Sequence, residues 1–260
     1  NYDSNKVKIL CLLNEKRGGH STGIWNGEYI IKSVESADNF VCTNSNDFNG
    51  DILMGHTRFA THGEKTVENA HPFKIKNIIG THNGIIYNFD DKRAKYKQKY
   101  EVDSQIIFYL LNKNIKMLEH LEGYWGIAWY DFKTPDYYYL SNNNGELSYA
   151  IENGVLYYSS DSQHLQAVTN ADIIEVDHNT ILKINIHTLK IEIITMKFKE
   201  YTYKIKCEKD WANGVWGENY DKADGIWGAD TTHKGTCEVC GQEAWLNDVE
   251  GCWLCTHCET

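Results

Sequence analysis

Proline is scarce in this sequence, two residues among 260, so few breaks in regular structure are forced and Asn, Asp and Gly must make most of the turns. Long hydrophobic runs are missing as well. No apolar stretch approaches the roughly 20 residues that span a bilayer, and the opening NYDSNKVK has neither a basic leader nor an apolar signal core. The expectation is a cytoplasmic protein without a membrane partner. Positive charge is in the minority, with 26 Lys and Arg against 36 Asp and Glu, a net charge of -10. That balance argues against an electrostatic grip on nucleic acid over the whole surface, although it leaves room for a local basic patch.

What is present is packing material. Hydrophobic residues make up 42% of the chain and aromatics 13%, enough for one large domain with a buried core and a small appendage. Of the eight cysteines, five lie between Cys237 and Cys258, which suggests metal binding rather than a disulfide framework. Cys11, Cys42 and Cys207 are isolated and read as small buried apolar residues. The abundance of Asn, Lys and Tyr suits an AT-rich genome, including a viral one, for which the compartment would be the host cytoplasm.

Apolar positions Val7, Leu10, Cys11 and Leu13 recur at helical spacing between Ser4 and Lys16, with Ser4 as cap and Gly18-Gly19 as terminator. Residues 23–35 surround the pair Asn26-Gly27 and predict a hairpin. Strand-like runs follow at 51–59 and 76–82, and the stripe Ile106, Ile107, Leu110, Leu111 predicts a helix over 103–113. From Tyr124 to Phe198 the chain reads as a meander of strands with one short helix near 162–168. Few helices and two groups of strands predict an α+β sandwich. After Tyr203 the composition shifts to Trp, Gly, Asp and Lys, and we divide the chain at residues 1–200, 201–233 (a linker or docking strip) and 234–260.

Unusual chemistry is concentrated in the islands RGGHSTG (17–23), GHTRFATHG (55–63), NAHPF (69–73) and THNG (81–84). Four imidazoles, His56, His62, His71 and His82, fall close together. Their loose spacing, with no HExxH-like pair and no acidic partner placed beside them, speaks against a catalytic metal.

In order along the chain, GHTRFATHG, NAHPF, THNGIIYN and DSQII, flanked by RGGHSTGIW and LEGYWGIAWYD, resemble the glutaminase domain of the class II amidotransferases, most like that of glucosamine-6-phosphate synthase. The resemblance runs from Ile9 to about Lys197 and implies an N-terminal-nucleophile hydrolase fold, a four-layer αββα sandwich of two mainly antiparallel sheets. It implies that Arg58 grips the α-carboxylate of L-glutamine, a planar group that suits a guanidinium fork. An ordinary ion pair is the alternative. Asp103 resembles the acid that holds the α-ammonium, or it simply caps a helix. Asn83 and Gly84 resemble the oxyanion hole, against the alternative of a plain Asn-Gly turn. Phe59, Thr61, His62 and Gly63 resemble the loop that lines the substrate.

The family's nucleophile is a cysteine at the first residue of the mature chain, whose own α-amino group acts as base. Asn1 cannot play that part, and the expectation is that a strand carrying the cysteine precedes it. At the other end, Cys237-x2-Cys240 and Cys255-x2-Cys258 have the spacing of a structural zinc ribbon, with Cys252 as spare or as a substitute ligand. Its acidic neighbours favour a protein partner over nucleic acid. Two functions follow. One is a glutaminase that passes ammonia to a separate acceptor enzyme; the other is an inactive amidotransferase fold serving a larger assembly.

Overall fold

The computed structural model describes residues 2–60 and 63–199 together with three short strands nearer the C-terminus. The chain divides into two compact units, Asn1–Tyr201 and Thr202–Thr260.

The first unit opens with helix α1 (Ser4–Asn14), capped by Asp3 rather than Ser4: the Asp3 carboxylate accepts from the Asn5 N–H at 2.9 Å. A 3₁₀ turn, Glu15–Arg17, replaces the expected last turn of helix. Strands β1 (Ser21–Trp25) and β2 (Ile30–Ser33) form the hairpin around Asn26-Gly27, where the Asn26 side chain accepts from the N–H groups of Glu28 and Tyr29. Helix α2 (Ala37–Thr43) follows, then β3 (Met54–Arg58), which pairs with the other edge of β1 to give the order β2-β1-β3.

Strands β4 (Phe73–Ile75) and β5 (Ile78–Ile86) lead into helices α3 (Phe89–Lys95) and α4 (Asp103–Leu111). Then come β6 (Gly123–Asp131), β7 (Tyr137–Asn143), β8 (Ser148–Glu152), β9 (Val155–Ser159), α5 (Ser162–Gln166), β10 (Ile174–Glu175), β11 (Thr180–Asn185) and β12 (Ile191–Thr195). A six-stranded antiparallel sheet runs β12-β11-β7-β6-β5-β4, and a third sheet runs β10-β8-β9. The architecture is α+β, with helices set apart from antiparallel sheets.

Three apolar clusters show how these pieces stack. Ile106, Ile107, Phe108 and Leu110 of α4 pack with Ile78, Ile86, Trp125 and Ile127 of the large sheet. On that sheet's other face, Ile79, Ala128, Leu140 and Leu182 meet Trp25 and Met54 of the first sheet and Tyr149 of the third. Alternate residues of β5 thus serve opposite cores, as the two-residue period of a strand requires. Cys11, Phe40 and Val41 from α1 and α2 then cover Ile24 of β1.

In the second unit, β13 (Lys234–Thr236), β14 (Glu243–Leu246) and β15 (Trp253–Leu254) make an antiparallel sheet in that order. Cys237, Cys240, Cys252, Cys255 and Cys258, with Cys207, lie outside the described residues.

Ile107 is wholly buried in the cluster that seats α4 on the large sheet. Ile107→Ala is expected to lower the unfolding free energy by about 2–5 kcal/mol, read from the midpoint shift in urea at unchanged slope.

Candidate active site

Strand β3 delivers Arg58 at its last residue. The side chain is buried, 3% exposed, and donates from Nη1 to the Glu64 carbonyl at 3.2 Å. Burial lowers its pKa from the ordinary arginine value, and the negative charge of Asp103 works against that shift. The two groups therefore share one electrostatic neighbourhood although 45 positions separate them in sequence.

Asp103 opens α4 and is likewise 3% exposed. Its Oδ2 accepts from the Ile86 backbone N–H at 2.9 Å and its Oδ1 from the Ser104 N–H at 2.8 Å. An acid in the first turn also suits the positive end of the helix dipole. Gln105 completes the helix start by accepting from the Val102 N–H at 3.2 Å. Asp103 and Gln105 thus satisfy backbone N–H groups at the start of the helix.

Asn83 and Gly84 lie inside β5, not in a turn, opposite Gly126 and Trp125 of β6. Gly84 has φ +143°, a region that favours glycine, and a Cβ there would stand 2.1 Å from the Tyr124 carbonyl oxygen. The backbones approach so closely that a side chain is excluded. Both residues are half-buried. Among the described residues the Asn83 carboxamide has no hydrogen-bond partner.

The segment after Arg58 is held by His20. Its backbone N–H donates to the Arg58 carbonyl at 3.0 Å, its Nδ1 accepts from the Ala60 N–H at 3.0 Å, and its ring stacks on Phe59 at 4.8 Å between centroids. Phe59 is 51% exposed beyond that stack. Gly63 takes a positive φ of +75° beside Asn69 and Val102. Thr61 and His62 fall outside the described residues.

Three of the four clustered histidines are linked, His56 to His71 through their rings and His56 to His82 through a backbone hydrogen bond. His56 Nε2–H donates to the His82 carbonyl at 3.0 Å, its ring lies 4.1 Å from that of His71, and His71 meets Phe73 edge-on at 4.5 Å. His82 Nδ1 contacts Ser104 Oγ at 2.9 Å. Burial pushes all three rings toward the neutral form. His56 falls to about 3, His71 goes well below the ordinary value, and His82 is lowered despite the opposing pull of Asp103 and the Tyr124 carbonyl. No cluster of histidine, cysteine and carboxylate groups able to hold a metal occurs among the described residues.

Of the isolated cysteines, Cys11 is buried and its thiol is pushed up to about 12 by desolvation and by Glu15. Cys42 is exposed on α2, against the expectation of a buried residue. The sequence reading also missed His20, whose role depends on contacts across 40 positions that no local pattern signals. Ser104 was missed as well; its only signal is its place beside Asp103.

Asp103, Arg58 and the Asn83-Gly84 end of β5 thus lie in one part of the first unit. Residues 56–167 match the family described as a glutamine amidotransferase domain. Glutamine–fructose-6-phosphate aminotransferase (isomerizing) of Streptococcus mutans is 31% identical over 179 residues, covering 60% of this chain and 30% of that protein. Its counterpart from Staphylococcus aureus is 29% identical over 205 residues, covering 70% and 34%. The chain spans about a third of the length of these curated relatives. Among solved structures, glutamine phosphoribosylpyrophosphate amidotransferase from B. subtilis superposes with TM-score 0.60 at 20% identity, over 73% of this chain and 46% of that one. A structure titled as the allosteric regulatory enzyme of purine biosynthesis gives 0.61 at 20%, over 75% and 47%. Residues 56–167 thus resemble a glutamine amidotransferase domain, and the longer aligned stretch is similar in sequence to part of the aminotransferases.

The buried imidazoles set an acid limit on stability. In the unfolded chain each histidine binds a proton near pH 6.5, whereas the folded state holds these three neutral, so unfolding takes up protons as pH falls. Stability is expected to be full above about pH 7 and to drop below pH 6.5 by about 1.4 kcal/mol per pH unit for His56, down to its value of about 3, with His71 and His82 acting in the same direction. Urea titrations at pH 7, 6 and 5 measure this, and His71→Gln should flatten the slope.

Proposed function

We propose that residues 1–200 form a glutaminase of the four-layer αββα type that hydrolyses L-glutamine to glutamate and ammonia for a separate acceptor. The observation that carries the reading is the meeting of Arg58 and Asp103, two buried opposite charges, beside the Asn83-Gly84 segment of β5. Arg58 binds the α-carboxylate of glutamine and Asp103 its α-ammonium, which leaves the side-chain amide directed at Asn83 and Gly84. As a thiolate adds to the amide carbon, negative charge collects on the amide oxygen. The Asn83 carboxamide and the Gly84 N–H receive it. Collapse expels ammonia, and water then releases glutamate from the thioester.

The nucleophile in this reading is a cysteine preceding Asn1. Its α-amino group takes the thiol proton and later returns it to the departing nitrogen. Cys11, with its thiol held protonated inside the protein, is unsuited to the task. Phe59, Thr61, His62 and Gly63 line the substrate, with His20 bracing the start of that loop. The curated relatives extend well beyond the matched part, and the acceptor partner proposed here takes the ammonia in its place.

The proposal extends to a structural zinc ion on Cys237, Cys240, Cys255 and Cys258. Four thiolates in two Cys-x2-Cys pairs match the donor set of a closed tetrahedral site, and one pair follows directly on β13 and the other on β15. Bound there, zinc would tie the ends of a very small sheet together. The open surface of the ribbon then serves protein docking.

Calorimetric titration of the purified chain with L-glutamine tests the site. Arg58→Lys and Asp103→Asn are each expected to weaken binding by about 2–3 kcal/mol, since each leaves a buried opposite charge or a ligand charge without its partner. Undiminished affinity in both variants would end the reading, and the coding sequence directly upstream of Asn1 must supply a Cys codon. For the ribbon, elemental analysis is expected to give about one zinc per chain, lost on chelation together with the cooperative unfolding of that unit.

A further inference from the structure

Ser104 occupies the second residue of α4, a place where serine side chains commonly face water or cap the helix. Here the hydroxyl is buried, with the residue 2% exposed, and is aimed at an imidazole. Its Oγ–H donates toward Asp103 Oδ1 at 3.4 Å, and the same oxygen lies 2.9 Å from His82 Nδ1. His82 is fixed in turn from the other side of the strand, because its carbonyl accepts from His56 Nε2–H.

Ser104 Oγ therefore links the His82 ring to the carboxylate. Two further donors, the N–H groups of Ile86 and Ser104, reach the same carboxylate. A carboxylate offers about four lone-pair directions. Three donors from the protein interior occupy the inward ones and leave the outward direction for a cation. From this geometry we infer that Ser104, oriented by His82, is a positioning residue for the Asp103 carboxylate and so for recognition of the substrate's α-ammonium group.

The inference rests on the proposed glutamine site and sharpens it. A merely structural serine would affect every ligand of the site alike. A positioning serine affects only ligands that carry the ammonium. The chemistry also gives a reason for a neutral His82, since a second proton on the ring would place a positive charge behind the carboxylate and compete with the ligand's ammonium for it. The groups facing His82 are Asp103 and Ser104 from α4 and the Tyr124 carbonyl from β6, with His56 and Arg58 from β3 and His71 from the segment before β4 close by.

The test compares L-glutamate, the product of the proposed reaction, with glutarate, which keeps both terminal carboxylates and lacks the ammonium. Both are titrated calorimetrically into the full chain and into Ser104→Ala. The expected result is a threefold to tenfold weaker affinity for L-glutamate, roughly 0.7–1.4 kcal/mol, with glutarate changed less than twofold. Equal weakening of both ligands, or no change in either, overturns the assignment while leaving the glutamine site intact. Failure of the unaltered chain to bind either L-glutamate or L-glutamine overturns the proposed function itself. The unaltered chain gives a second readout that does not depend on the variant's folding. Its His82 Nδ1 resonance is expected to shift on adding L-glutamate and to stay in place with glutarate, and a stationary resonance in both cases also overturns the assignment.

Discussion

The close approach of β5 and β6 is the constraint on which the site depends. Nine register pairs join them, from Ile78 opposite Asp131 to Ile86 opposite Gly123. At Gly84 and Gly123, both at strongly positive φ, an added Cβ would lie 2.1 Å from a carbonyl oxygen of the facing strand. These two glycines let the strands stay paired to their ends. The Ile86 N–H is consequently held where Asp103 can accept it, and Asn83 is held one position before the strand's most distorted residue. Everything the site offers to a ligand is placed relative to this ladder.

The second constraint is electrical. An arginine and an aspartate, each nearly inaccessible to water, are kept in one neighbourhood at a cost in desolvation that hydrogen bonds from Ile86, Ser104 and the Glu64 carbonyl offset. Beneath them sit imidazoles that burial holds neutral. The interior can supply directional donors to the carboxylate without adding further net charge. In the proposed reading a zwitterionic ligand suits such an interior, because each ligand charge would meet an opposite one.

Much of the scaffold was legible in the sequence because it follows local rules. The Asn26-Gly27 turn, the apolar stripe of α4 and the alternating runs of the meander each appear as periodicity or turn chemistry, and each forms the element they predict. Helices α2 and α3 were not legible. Each has only seven residues, too few to show a periodic stripe, and α3 carries three basic residues within those seven. Asn83-Gly84 was ambiguous because the pair is common in turns, and only the facing backbone of β6 makes it part of a strand. The histidines were read against a metal from spacing alone. In the structure His56 and His71 pack ring against ring, and His71 meets Phe73 edge-on. His20 and Ser104 act through contacts distant in sequence or hidden beneath the surface, so their places in the RGGHSTG and DSQII islands do not show what they do.

One carboxylate, that of Asp103, ties together three things: the first turn of α4 through the Ser104 amide, the end of β5 through the Ile86 amide, and the electrostatic balance of Arg58. Occupancy of the pocket and the integrity of the helix–strand junction are therefore linked by reciprocity, since whatever stabilises the carboxylate in place also stabilises both amides bound to it. A filled pocket would be felt as slower solvent exchange at two backbone positions that no ligand touches.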